Sequence, residues 1–319
     1  MSESVPENTG DNWDRKILEK VALAAVQEQR KARLWGIFFK SLTFIYLFAL
    51  LFVAMGWLIP KDALPGKHTA LVEIHGVIAA GTSASADNIM ASLREAFKDK
   101  GTQGVILRIN SPGGSPVQAG YINDEIRRLR AKYPNIPLYA VVEDICASGG
   151  YYIAVAADQI YIDKASIIGS IGVLMDGFGF TGLMDKLGIE RRLLAAGENK
   201  GFLDPFSPIR DSQKEYAEKM LNEIHQQFIT VVRQGRGKRL KETPDTFSGL
   251  LWTGQKSIEL GLADALGGVD YVAREVIKSE DIVDFTVREN VAERLARRFG
   301  AAMAETLVRL GAVSSLNIR

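Results

Sequence analysis

The feature that most constrains this chain is the uncharged apolar run Leu42 to Ile59 (LTFIYLFALLFVAMGWLI). As a helix it is just long enough to cross the hydrocarbon core of a bilayer. Arg30, Lys31, Arg33 and Lys40 lie on its N-terminal side, against Lys61, Asp62 and Lys67 on the other. The positive-inside rule therefore leaves the N-terminus cytoplasmic and everything from about Pro60 on the outer face. Trp35, Tyr46 and Trp57 would set amphipathic rings near the interfaces, Tyr46 being rather deep for that role. The competing reading is a cleaved signal peptide. A leader of roughly forty residues before the run, and no convincing small-residue cleavage site after it, favour a retained anchor.

With 319 residues there is enough chain for one catalytic-sized core besides an anchor. The net charge of +1 gives no electrostatic footprint for nucleic acid, so no nucleic-acid partner is expected. The single cysteine, Cys146, excludes an internal disulfide framework and a multi-cysteine metal site.

Residues 1 to about 15 are polar, rich in helix breakers, and read as disordered. Ile17 to Arg33 has helix formers throughout and predicts a helix running towards the membrane. Pro60 and Pro65-Gly66 mark an exit linker that includes His68. Beyond it, β-branched runs alternate with helical stretches, the signature of an α/β domain with a largely parallel sheet. The predicted strands are Thr69 to Ile74, Gly104 to Ile109, Leu138 to Val142 and Gln159 to Ile162. Helices are predicted over Asp87 to Lys98, from the Ser111-Pro112-Gly113-Gly114 turn to about Tyr133, and from Ser148. A long helix spans Asp211 to Gln234, capped by Asp211 or Ser212 and closed by Gly235. Val291 to Leu310 reads as an amphipathic helix that could cover the core, contact another subunit or lie on the membrane.

Ser148 falls between a predicted strand and a predicted helix, in Asp144-Ile145-Cys146-Ala147-Ser148-Gly149-Gly150. Such an elbow can aim a hydroxyl out of the sheet beside unpaired amides at a helix start. Taken alone, a serine there is more often a helix cap. A second glycine-rich turn, Ser111 to Ser115, also follows a strand, and in an open parallel sheet both would fall at the strands' carboxyl ends. The Gly114 and Gly149 amides could then form one oxyanion hole. The alternatives for that turn are a phosphate loop, for which no Walker lysine is present, or a plain tight turn.

A nucleophilic serine needs a base, and the three histidines (His68, His75, His225) have no spacing that nominates one. His225 reads as a helix-packing residue. A lysine can serve if its surroundings leave the amine neutral. Lys200 is the candidate, set after an apolar stretch read as a strand and before Leu203-Asp204-Pro205-Phe206, so that apolar groups can enclose it. The competing reading is a solvated loop lysine.

These pieces together resemble the signal peptide peptidase A family of bacterial membrane-bound Ser/Lys proteases. The resemblance runs from about Thr69 to Val272. It rests on the Ser111 to Ser115 turn, Ala147-Ser148-Gly149-Gly150-Tyr151-Tyr152, Ile168 to Val173, Gly197 to Pro208, Trp252-Thr253-Gly254-Gln255 and Gly261-Leu262-Ala263-Asp264. It implies a Clp-protease/crotonase-like fold of repeated strand-strand-helix units behind one N-terminal transmembrane helix. It further implies the short, single-domain form of the family; with the residue reading above, the chain divides into a cytoplasmic tail and helix 1–41, anchor 42–59, linker 60–68, peptidase domain 69–283 and amphipathic tail 284–319. By resemblance Ser148 is the nucleophile, Lys200 the general base, Ser170 the residue orienting the lysine, and Gly114 and Gly149 the oxyanion donors.

The implied reaction is peptide hydrolysis through an acyl-enzyme, with no metal or other cofactor. The implied substrates are cleaved signal peptides and other apolar peptides at the outer face of the bacterial inner membrane, and the implied assembly is a homo-oligomeric ring. Two rivals are a crotonase-type acyl-CoA enzyme, which needs no activated serine, and a catalytically silent membrane scaffold.

Overall fold

The computed structural model describes residues 10–54 and 66–288, in two units, Met1–Leu64 and Pro65–Arg319. In the first, a single helix α1 runs from Gly10 to Ala54. The helix expected over Ile17 to Arg33 and the described part of the apolar run are thus continuous, because no Gly-Pro pair or cap interrupts the intervening Leu34 to Ser41. Residues 10–15, read as disordered, belong to this helix; 1–9 and 55–65 lie outside the described residues, as does the expected tail helix 291–310. Within α1, Glu19–Phe52 contains a window apolar and long enough to cross a membrane.

The second unit is built on an eight-stranded sheet among the described residues. Strand β1 (His68–His75) leads through α2 (Ala86–Lys98) to β2 (Thr102–Ser111), and α3 (Pro116–Lys132) leads to β3 (Leu138–Ala147). The short α4 (Gly149–Ala154) is followed by β4 (Gln159–Ile162), β5 (Ile167–Gly169) and α5 (Thr181–Lys186). Then come the long α6 (Asp211–Arg236), β6 (Leu251–Thr253), α7 (Gly254–Glu259), β7 (Ala265–Leu266), α8 (Val269–Tyr271) with its π-helical continuation Val272–Ile277, and β8 (Ile282–Asp284). The main path is β6-β5-β3-β2-β1-β8, with β4 bridging β3 and β7. All pairings are parallel except β5 with β6.

The strands bury both faces, as a parallel sheet with covered sides requires. Along β2, Val105, Leu107 and Ile109 enter the main core, whereas Ile106 joins Leu71, Val141, Tyr161, Val272 and Ala273 on the other face. Helix α3 supplies Ala119, Ile122, Ile126 and Leu129, an apolar stripe at three-to-four spacing, and α2 supplies Ile89, Leu93, Ala96 and Phe97.

Three sequence boundaries are corrected by packing. His68 is fully buried as the first residue of β1, stacked on Phe285, and is not part of a linker. Helix α6 is capped by Arg210, not by Asp211 or Ser212. It runs through Gly235 to Arg236 and ends at Gly237, whose φ of 53° lies in the left-handed region. Gly235 serves close approach instead: a Cβ there would stand 2.1 Å from the Val155 carbonyl oxygen.

The late motifs lock the domain. Arg236, 2% exposed, donates from Nη1 and Nη2 to Asp264 at 2.8 Å each and from Nε to the Gly261 carbonyl. Asp264 also accepts from the Ile160 amide at 2.7 Å. Burial by itself would raise the Asp264 pKa; the Arg236 hydrogen bonds and charge outweigh it and hold the carboxyl below its ordinary value. From α4 the Tyr151 hydroxyl donates to the Leu262 carbonyl at 2.9 Å, tying the Gly261 to Asp264 motif to the elbow.

Candidate active site

Strand β3 does not end at Val142 as its apolar run suggested but continues to Ala147. Its register with β2 is regular from Val105↔Leu138 to Ile109↔Val142, then slips so that Ser111 faces Cys146. The extra residues on β3 form a bulge, pinned by Asn110 Nδ2 donating to Asp144 at 2.8 Å and by the Ser166 hydroxyl donating to the Glu143 carbonyl. Bulges re-aim a strand. Past this one, β3 leaves β4 and pairs with β5, so that Ser148 emerges beside Gly169, to whose carbonyl its amide donates at 2.9 Å.

Ser148 has φ 51° and ψ −119°, and its side chain makes no capping hydrogen bond to α4. Ser148 thus holds the N-cap position of α4 without using its hydroxyl as a cap. A non-glycine residue in this conformation is strained, and such strain persists only where the surroundings enforce it. The half-buried Ser148 opens instead onto a cavity of about 510 Å³, whose walls include Pro116, Ala119, Tyr152, Ile224 and Phe228. Cys146, directly below, is fully buried, and desolvation pushes its thiol pKa far up, so it offers no competing nucleophile.

The second turn meets the first. Ser111 is buried; its hydroxyl donates to the Gly76 carbonyl at 2.6 Å and accepts from the Gly113 amide at 3.1 Å. The Ile78 amide donates to the Gly113 carbonyl at 2.9 Å, and the Ser115 amide to the Ile78 carbonyl at 2.8 Å. Gly114, at φ 149°, passes so close to Ile78 that a Cβ would lie 2.1 Å from its carbonyl oxygen. Gly149, the first residue of α4, carries an amide with no intrahelical acceptor. A Cβ on Gly149 would sit 3.3 Å from the Gly114 nitrogen, and both glycines border the cavity. The Gly114 and Gly149 backbones therefore lie side by side next to the serine, a placement in which their amides are available to a developing oxyanion.

Ser170, with φ 50°, lines the same cavity, its amide donating to the Leu250 carbonyl at 2.8 Å. Lys200 does not line it. The lysine sits in an exposed turn, its amide donating to the Gly197 carbonyl at 3.0 Å, and the stretch before it forms no strand. The expected apolar enclosure is absent because residues 173–210, α5 apart, run irregularly over the surface with Leu174, Phe178, Leu187 and Leu194 exposed. Of the five residues expected at the site, Ser148, Ser170, Gly114 and Gly149 come together and Lys200 stands outside. Sequence reasoning missed the cavity wall from α6: Ile224 and Phe228 are spaced four apart, a helical signal that reads as ordinary core.

The family model described as peptidase family S49 matches residues 130–282. A 202-residue stretch, 62% of the chain, is 46% identical to a protein of Brucella melitensis named Na(+)/H(+) antiporter NhaA, of which it covers 27%. A candidate protease of Synechocystis sp. (slr0021) is 30% identical over 201 residues, 63% of this chain and 70% of that protein. The chloroplastic serine protease SPPA of Arabidopsis thaliana is 30% identical over 190 residues, 59% of this chain and 28% of that one. The chain thus spans about a quarter of the Brucella and Arabidopsis relatives.

Proposed function

The chain belongs to peptidase family S49, the signal peptide peptidase A family, and on that premise we propose that it is a membrane-anchored serine endopeptidase with Ser148 as nucleophile and Lys200 as general base. The observation that carries this reading is the strained Ser148, its hydroxyl unused as a cap, held against the Gly113-Gly114 turn and opening onto the cavity.

In this mechanism neutral Lys200, oriented by the Ser170 hydroxyl, takes the Ser148 proton as Oγ attacks the scissile carbonyl. The Gly114 and Gly149 amides receive the oxyanion. Collapse expels the amine, protonated by the lysine, and a water then hydrolyses the ester by the reverse proton path. A lysine acts as a base only when burial or nearby positive charge disfavours its charged form. In the isolated chain Lys200 is exposed, so the mechanism requires residues 173–210 to be covered. Their exposed apolar side chains, among them Leu194 at 96% and Phe178 at 80%, support self-association into the expected ring. The apolar window within α1 and the basic residues before Leu42 support an anchor in the bacterial inner membrane with its N-terminus cytoplasmic. A catalytic unit outside the cytoplasm, with Pro116, Ile224 and Phe228 in the cavity wall, fits cleaved signal peptides and other apolar segments.

The test is hydrolysis of a synthetic signal-like peptide by the full chain in detergent, with products read by mass spectrometry. Cleavage by the wild type and none by Ser148→Ala is expected. Full turnover by Ser148→Ala would refute the reading.

A further inference from the structure

The turn Gly169 to Gly172 presents Ser170 to the cavity and is closed internally by one hydrogen bond, the Gly172 amide donating to the Ser170 carbonyl at 2.9 Å. Two glycines bound it, Gly169 has φ 117°, and Ser170 is in the left-handed region at φ 50°. That single bond does not by itself hold a non-glycine residue at this φ, so the rest of the restraint comes from outside the turn. Three attachments supply it. The Ser148 amide donates to the Gly169 carbonyl at 2.9 Å, and the Ser170 amide donates to the Leu250 carbonyl at 2.8 Å. The third comes from a side chain: His225 Nε2, half-buried in the middle of α6, donates to the Ile171 carbonyl at 3.0 Å. Ile171 is itself fully buried, so its carbonyl is not freely rehydrated when the donor is lost. On the next turn of α6 Phe228 lines the cavity and packs on Tyr152, with ring centroids 5.1 Å apart. The same helix therefore forms the cavity wall and holds the turn that carries Ser170.

We propose that His225 is a positioning residue: by gripping the Ile171 carbonyl it fixes the neighbouring Ser170 relative to Ser148. It does not line the cavity and takes no part in proton transfer. Its role requires only a neutral or charged ring with a proton on Nε2. The inference rests on the reading of Ser170 as the residue that orients the general base.

The experiment is steady-state hydrolysis of one apolar peptide by the full-length chain carrying His225→Met, His225→Gln, Ser170→Ala, or Ser170→Ala with His225→Met. Methionine fills similar space without a donor, and glutamine returns an amide N–H near the position of Nε2. Loss of the donor is expected to lower kcat about tenfold with KM within about twofold, since one hydrogen bond and a small displacement of a catalytic group are at stake. His225→Gln is expected within about threefold of wild type. The double variant should be no slower than Ser170→Ala alone, because His225 acts through Ser170. A wild-type kcat for His225→Met, a Gln variant as slow as Met, or fully additive losses in the double variant would each overturn the proposal while leaving Ser170 in place. If Ser170→Ala turned over at the wild-type rate, the reading of Ser170 would fail and the inference with it. Should His225→Met not fold, His225→Asn, whose amide is one methylene too short, serves in its place and is expected to behave as described for Met.

Discussion

Gly113 and Ser148 are packed so closely that a Cβ placed on Gly113 would stand 2.7 Å from the Ser148 Cβ and 2.7 Å from the Gly149 nitrogen. Two backbones separated by more than thirty residues meet here without a side chain between them, and the φ of 99° at Gly113 excludes most other residues independently. Gly113→Ala should therefore push the two turns apart. Activity is expected to fall at least about a hundredfold, since a displacement near 1 Å at the reacting group suffices for that. Overpacking should also cost about 1 to 3 kcal/mol of stability, measured by denaturant unfolding of the same protein.

The backbone strain at Ser148 makes the opposite prediction for stability. Ser148→Gly relieves a conformation that costs a side-chain-bearing residue about 1 to 3 kcal/mol. It adds back about 0.5 to 1 kcal/mol of chain entropy. Because Ser148 gives no capping bond that would be lost, the variant should be more stable by about 1 kcal/mol and inactive. Thermal unfolding checks the sign; a destabilised Ser148→Gly would mean that the elbow is not strained.

Much of this site was legible in the sequence, and what was not has identifiable causes. The β-branched runs Thr69 to Ile74 and Gly104 to Ile109 announced central strands because nearly every residue in them is buried on one face or the other. The two glycine turns announced themselves by composition. The bulge at Glu143 to Ile145 did not, since polar residues after an apolar run look like a strand end, although here they carry β3 on to Ala147. The β5 and β6 pair that positions Ser170 is only three residues on each side, too short for any periodicity. The single chain does not itself enclose Lys200, because an apolar flank gives enclosure only when something packs on it, and Leu174, Phe178, Leu187 and Leu194 here face outward.

Asp264 is predicted to be a sensitive structural position outside the site. Its carboxylate neutralises Arg236, whose side chain is 1% exposed. Asp264→Ala would leave a buried guanidinium without its partner, a change that costs about 3 to 5 kcal/mol. Denaturant titration at neutral pH should show that loss, and loss of activity should follow unfolding and not precede it.

Glu125 ties α2 to α3, accepting from Arg128 Nε and Nη2 at 2.7 Å and from Arg94 Nε at 2.6 Å. The Arg128 hydrogen bond, opposed by burial and joined by Arg94, lowers its pKa from 4.5 to about 2. A carboxyl depressed on folding contributes stability above its unfolded pKa and loses it as the pH falls through the folded value. The difference in Tm between wild type and Glu125→Gln should accordingly be largest above about pH 5 and shrink progressively towards about pH 2. A gap that did not narrow in acid would show that the charge of Glu125 is not what joins the helices.

Ser148 is proposed as a nucleophile activated by Lys200. The most direct test is the intact mass and peptide map of the purified full-length protein after exposure to a fluorophosphonate. A single adduct on Ser148 is predicted in the wild type. None is predicted in Ser148→Ala or Lys200→Ala, nor in Lys200→Arg, because a guanidinium cannot give up its proton to serve as a base. An adduct on another residue, or undiminished labelling of Ser148 in both lysine variants, would contradict the account.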